Sequence, residues 1–361
     1  MKKNFLLLVF LIILTQVFTI SCNKTANSGQ TNETTNVESS INETREFVDS
    51  IGRTVIIPKN ISKIAASGNL SQIALLSIAS DKFAGLAAGI SDENKIYFDS
   101  NFSSLPVLGQ LYGGKGDLNL ESLLNSGAEV IIDIGEPKST IKNDLDNLTE
   151  QTGIPFIHIT LTLDTIDSCY TKLGELFDRQ DRAKEIIDYC NETLSYAKNL
   201  TNKIDKKNIA YLVGVNGLNA IAEKSYFSEV LNIVANNAIK IDEPSSKGTG
   251  NEIDIEQLIN FNPDYIVFEE KSMSDTVSSL PEWQDINAIK NYNYYLVPTV
   301  PYNVLGFPPS IQKIIGIKWL MAKLYPDDIN FNIEDEFVKF YKLFYNINLT
   351  EEQTKKILHI D

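Results

Sequence analysis

Short, continuously apolar runs recur along this chain, separated by stretches with helical periodicity. They cover residues 63–67, 82–87, 129–134 and 156–161, then 208–215, 264–269 and 294–298. Runs of this length without polar alternation predict strands buried on both faces, as parallel strands are. Ahead of them, "EFVDSIGRTVIIP" alternates around Ile51-Gly52 and predicts a small β-hairpin. Between the two groups of runs, Ala183, Ile186, Ile187, Cys190, Leu194, Ala197 and Leu200 recur at three- and four-residue steps. Such a stripe predicts one helix of about five or six turns. The fold class that follows is α/β: two Rossmann-like lobes with mainly parallel sheets, joined by one long connecting α-helix, with a ligand cleft between the lobes. A single stiff helix as connector predicts limited opening.

The pattern also repeats. "DLNLESLLNSGAEVIID" from Asp117 and "EIDIEQLINFNPDYIVF" from Glu252 share a polar cap, an apolar residue, a glutamate, two amphipathic turns and an apolar run. Glu121 and Glu256 hold matched places, 135 positions apart. Asn119 and Asp254 are good N-caps, and Gln257 closes a capping box after Asp254. A first-turn glutamate also interacts favourably with the helix dipole, by ~0.3–1 kcal/mol.

Composition changes the picture at the N-terminus. "MKKNFLLLVFLIILTQVFTISC" has two lysines, an apolar run and a small residue before Cys22, the layout of a secretory signal and too short an apolar run for a comfortable membrane span. A cysteine in that place resembles a bacterial lipoprotein signal, with Thr19 where leucine is usual, and implies acylation of Cys22. The polar segment after it lacks apolar periodicity and reads as a disordered tether. The predicted organisation is a signal peptide over 1–21, a tether over 22–44, an N-terminal lobe over 45–165, an interlobe region over 166–205 and a C-terminal lobe over 206–361.

A net charge of −15 argues against nucleic-acid binding, which needs a basic face. Cys169 and Cys190 support no disulfide framework and read as buried small apolar residues. Two histidines, His158 and His359, leave a histidine-based triad or multi-histidine zinc site nearly excluded. His158, in "FIHITL", reads as a packed residue. An enzyme is therefore not expected, and no cofactor is implied.

Ligand chemistry is expected in the loops after the strands. Those loops cover 67–71, 109–117, 214–219, 245–252 and 298–310; none carries a phosphate-loop or G-x-G-x-x-G spacing. The last holds four prolines in twelve residues, with Tyr302 and Phe307, and leads into an amphipathic helix expected to be capped by Ser310. Stiff aromatic loops suit binding surfaces and structural packing alike. Lys115, Lys138, Lys224 and Lys247 lie in or near these loops.

Seven segments in order carry a resemblance to a known family: "DSIGRTVIIP", "LGQLYGGKGDLNLESLL", "AEVIID", "GLNAIAEKSYFSEVLN", "IDIEQLINFNPDYIVF", "WQDINAIKNYNYYLVP" and "PYNVLGFPPSIQKIIGIKWLMAKLYPD". The chain resembles the extracytoplasmic solute-binding proteins of ABC importers, in the single-helix-linked class that takes iron-siderophore, haem, cobalamin and some metal or oxyanion ligands. The resemblance implies a monomeric receptor, lipid-anchored to the cell membrane, that captures an iron complex and delivers it to an ABC permease dimer with its ATPase. A molybdate or tungstate receptor is the alternative, and a surface adhesin or sensor on the same scaffold is a third reading. It further implies that Glu121 and Glu256 dock one lobe each on the permease. Candidate ligand-binding residues are Asn69, Tyr112, Lys115, Lys138, Tyr226, Tyr302 and Phe307. An oxyanion pocket should be small, closed and lined by backbone N–H groups; a chelate pocket should be broad and aromatic.

Overall fold

The computed structural model describes residues 43–112 and 117–360. The expected signal segment, most of the expected tether, Cys22 and Lys115 lie outside the described residues. β1 (Thr44–Val48) pairs antiparallel with β2 (Thr54–Pro58) around the predicted turn.

Three parallel strands form the first sheet in the order β3 (Ile64–Ala66), β4 (Val130–Gly135) and β5 (Phe156–Thr160). The second is built on β6 (Asn208–Val213), with the short β7 (Asn219–Ala220), β8 (Asn236–Asn237) and β9 (Asn251–Glu252), then β10 (Tyr265–Phe268) and β11 (Tyr294–Leu296). Its order is β11-β10-β6-β7-β9, with β8 also against β6; β7 and β9 run antiparallel and the rest parallel.

Alternation along these strands divides the core. Ile64, Val130, Ile132, Ile134, Ile157, Ile209, Tyr211 and Val213 face one continuous interior that also takes in the connecting helix and the C-terminal helices. Ala65, Ile131 and Phe156 face a second cluster on the far side of the first sheet, and Ala210, Leu212, Ile266 and Phe268 a third beyond the second sheet. Strands buried on both faces are what the unbroken apolar runs require.

The connecting helix spans Gln180–Thr201, within the predicted region. Its buried stripe is Ala183, Ile186, Tyr189, Cys190, Thr193, Ala197 and Leu200, whereas Ile187 and Leu194 are only half-buried. The stripe is rotated because partners lie on both sides. Tyr189 packs on Phe340 and Phe344, with ring centroids 6.1 and 5.7 Å away, and its hydroxyl donates to Glu336 at 3.0 Å. Arg182, near the helix start, donates to the carbonyls of Ser77 and Leu343 and ties the first lobe to the C-terminal segment. Cys169 and Cys190 are free and buried.

Two local expectations are corrected. Residues 82–87 form single bridges, Ile64 with Phe83 and Leu86 with Val107, and no strand. The backbone there changes partner after one residue: the Ala84 N–H donates to Ile64, and the Leu86 N–H to Pro106. Ser310 does not cap the helix Lys313–Leu324, which begins after Gln312 without a side-chain cap. The Ser310 hydroxyl instead donates to the Leu70 carbonyl of the other lobe, at 3.0 Å.

The repeated segments fold alike. Helices Leu120–Ser126 and Ile255–Phe261 start at Asn119 and Asp254, whose side chains accept from the N–H groups of Ser122 and Gln257. Each buries one leucine, Leu123 or Leu258, and ends in a left-handed residue, Gly127 or Asn262. The chain then enters β4 or β10, an inner strand of its own sheet.

Candidate functional site

A cavity of about 550 Å³ opens between the lobes at the carboxyl ends of β3 and β4. The turn Ser67-Gly68-Asn69 supplies its floor together with the start of the helix Asn69–Ala79. One wall is Gln110 and Tyr112, another is the segment from Asp133 to Lys138, and the second lobe closes it with Tyr226, Pro308 and Pro309. Tight turns set these walls: Gly109 has φ +85°, and a Cβ there would lie 2.2 Å from the Asp117 carbonyl oxygen.

Four predicted residues meet in this cavity: Asn69, Tyr112, Lys138 and Tyr226. The Lys138 ammonium sits 3.5 Å from the centre of the Tyr112 ring. The Tyr112 hydroxyl donates to Asp144, which also accepts from Thr140 at 2.8 Å. Burial, reinforced by that carboxylate, holds the Tyr112 phenol well above its ordinary pKa; hydrogen bonds from Tyr112 and then Thr140 hold Asp144 below the ordinary carboxylate value. Burial likewise raises Tyr226, whose ring lies 5.0 Å from the Lys313 ammonium; Lys313 is ion-paired with Glu229.

Under the floor, Ser67 donates to Asp133, Asp133 bonds the Nδ1 of His158 at 2.7 Å, and Thr160 reaches its Nε2 at 3.3 Å. The order is serine–carboxylate–imidazole. The hydroxyl meets an acceptor that is not the imidazole, so this set lacks the geometry that activates a serine nucleophile. His158 is fully buried, as its reading as a packed residue requires.

Tyr302 and Phe307 do not line this cavity. They belong to a second one of about 360 Å³, which Asn69 and Pro308 also line. Phe307 stacks on Phe227 at 4.7 Å and meets Tyr211 edge-on at 5.7 Å, so its ring is held by packing. Lys224 pairs with Asp242 on the surface, and Lys247 is exposed; neither lines a cleft cavity. Sequence reasoning missed Gln110, Asp133 and Glu136 in the larger cavity and Glu269 in the smaller. Glu136 and Glu269 directly follow β4 and β10, and Asp133 lies within β4, a usable signal, but acidic residues near strand ends are common enough to hide them.

Glu121 and Glu256 are both exposed in the first turns of their helices. Among the described residues no helix is long and apolar enough to cross a membrane, and no group of three or more His, Cys, Asp or Glu is placed to hold a metal ion.

A family model described as periplasmic binding protein matches residues 71–301. The high-affinity heme uptake system protein IsdE of Staphylococcus aureus (strain MRSA252) is 27% identical over 178 residues, 46% of this chain and 60% of that relative, so the chain spans less than two thirds of its length. An ABC transporter solute binding protein from Sulfurospirillum deleyianum DSM 6946 superposes with a TM-score of 0.79 at 25% identity, covering 88% of this chain and 99% of the other. The molybdate periplasmic binding protein MolA of Haemophilus influenzae, bound to molybdate, has a TM-score of 0.66 at 16% identity, covering 85% and 99%; that likeness concerns the fold alone.

Proposed function

The chain belongs to the periplasmic binding protein family, and from that premise we propose that it is the substrate-binding receptor of an ABC importer, capturing an iron complex of the siderophore type. The observation that carries the reading is the cavity between the lobes, at about 550 Å³ and walled by Tyr112, Tyr226, Pro308 and Pro309. That volume falls in the range of small-molecule sites, roughly 300–1,000 Å³. A tetrahedral oxyanion needs a far smaller, closed cage of N–H donors. The lining also sets two carboxylates, Asp133 and Glu136, against one lysine, Lys138, which disfavours a free anion over a neutral or zwitterionic chelate.

Haem is the ligand named for the staphylococcal relative. Haem iron takes an axial His, Met, Cys or Tyr. The described lining offers two tyrosines: the Tyr112 hydroxyl is already bonded to Asp144, and the Tyr226 ring lies 5.0 Å from the Lys313 ammonium. A siderophore brings its iron fully coordinated and asks only for a shaped, partly aromatic wall. Anchoring through an acylated Cys22 outside the membrane, and docking through Glu121 and Glu256, belong to the same reading. Titration calorimetry against ferric siderophores, haem, cobalamin and molybdate tests it. We expect a ferric siderophore to bind and molybdate not to; binding of molybdate alone, or of none of the four, overturns the assignment.

A further inference from the structure

Gln110 lines the larger cavity, and its neighbours hold it at nearly every polar group. Its backbone N–H donates to the Asp117 carboxylate at 3.2 Å, and its carbonyl accepts from the Leu118 N–H at 3.0 Å. One residue on, the Leu111 N–H donates to the Ser67 carbonyl at 2.6 Å, which ties this segment to the floor turn. The side-chain oxygen accepts from the Asn69 N–H at 3.1 Å, at the start of a helix whose own N-cap residue, Gly68, offers no side chain. That bond sets which way the carboxamide is turned, because only its oxygen can accept.

What remains is the Nε2 group, with two N–H donors and no acceptor among the described residues. It is not one of the buried polar atoms that lack a partner, and Gln110 as a whole is half-buried, so the donors keep an open side. The space that Gln110 lines is the cavity. Nearby hydroxyls are committed elsewhere: Ser67 donates to Asp133, and Tyr112 to Asp144. The Gln110 amide and the Lys138 ammonium are thus open to acceptors on a ligand.

We propose that Gln110 is a specificity-determining residue of this cavity, whose Nε2 donates to an acceptor oxygen of an uncharged ferric hydroxamate. The inference rests on the chelate reading above and names the class of chelate. Three hydroxamates carry one negative charge each and balance iron(III), so the complex is neutral and its chelating oxygens offer lone pairs only. Three catecholates carry two charges each and leave a trianion. Among the described lining residues, two carboxylates, Asp133 and Glu136, stand against one lysine, Lys138, a balance that repels a trianion and tolerates a neutral complex.

Calorimetry and thermal unfolding of the full chain test this, with ferrichrome as the uncharged ferric trihydroxamate and ferric enterobactin as the trianionic catecholate. We expect ferrichrome to bind the parent more tightly. Gln110→Glu keeps an oxygen for the Asn69 N–H and replaces the two donors by a second acceptor. A carboxylate at a helix start is favourable, so Tm should hold or rise while ferrichrome affinity falls about tenfold or more, the scale of a buried group left without its partner. A residue that only caps the helix would leave that affinity unchanged. Gln110→Met keeps the length and removes the donors, and its ferrichrome affinity, expected to fall by a similar factor, decides if Gln110→Glu does not fold. Unchanged ferrichrome affinity in the folded variant, or tighter binding of ferric enterobactin than of ferrichrome to the parent, overturns the proposal and leaves the receptor reading standing. Binding of neither chelate to the parent overturns both.

Discussion

Lys138 and Tyr112 form a cation–π pair in the lining of the larger cavity, with the ammonium 3.5 Å from the ring centre. The pair fixes a side chain that would otherwise be mobile. It holds a positive charge on a wall whose other charged members are acidic. Lys138→Ala should weaken binding of a ferric siderophore about tenfold, the scale of a lost hydrogen bond to a charged group. Tyr112→Phe keeps the ring, releases Asp144, and should cost less. Calorimetry on the two variants and the parent checks the ranking; equal losses would mean the hydroxyl matters to the ligand as much as the charge, and a larger loss for Tyr112→Phe would overturn the ranking.

Glu121 and Glu256 are exposed at matched helix starts, one on each lobe. Changing both to alanine should leave ligand affinity within about twofold, since neither lines the cavity, and should abolish uptake in cells carrying the importer. Each single change should give a partial loss, because exposed ion pairs are individually weak. Normal uptake by the double variant would reduce both glutamates to their local role at the helix dipole.

Gly316 shows how the proline-rich loop is held. A Cβ at this position would lie 2.0 Å from the Val304 carbonyl oxygen, so the helix Lys313–Leu324 and the loop carrying Tyr302 and Phe307 touch backbone to backbone. Helix propensity favours alanine by about 1 kcal/mol, yet Gly316→Ala should destabilise by about 1–3 kcal/mol, as overpacking does. Denaturant unfolding gives the sign directly. A stabilised variant would show that the loop can move aside freely.

Glu269 gives the fold a pH signature. Burial raises its pKa above the ordinary carboxylate value, so the folded state favours the protonated acid more than the unfolded state does. Its ionisation therefore costs stability at neutral pH, and that cost disappears as pH falls below the ordinary carboxylate range. Glu269→Gln should raise Tm near pH 7, with a gain that shrinks as the pH is lowered through the acid range. A gain independent of pH, or a loss, would mean the carboxylate is already compensated.

Seven apolar runs were readable as strands, and six are strands. The exception, residues 82–87, has the right composition, but its backbone meets each neighbour for one residue only. The short β7, β8 and β9 left no trace in the pattern, since two-residue strands are too brief for any period to show. The capping of the repeated helices was legible because its partners lie within three residues. The role of Ser310 was not: a serine before a helix looks like a cap, and its partner, Leu70, is 240 residues away.

The same division runs through the whole molecule. Local chemistry determined the hairpin, the parallel strands, the 22-residue connecting helix and the twin acidic helix starts, because period, caps and turns are written between near neighbours. Tertiary structure decided which loops share a cavity. It gathered Asn69, Tyr112, Lys138 and Tyr226 in one place, moved Tyr302 and Phe307 to another, and set Glu269 there with no lysine or arginine among the described residues that line it. Those outcomes depend on how two sheets lie against one connecting helix and a common core, and packing between residues far apart in sequence leaves no period for a linear reading to find.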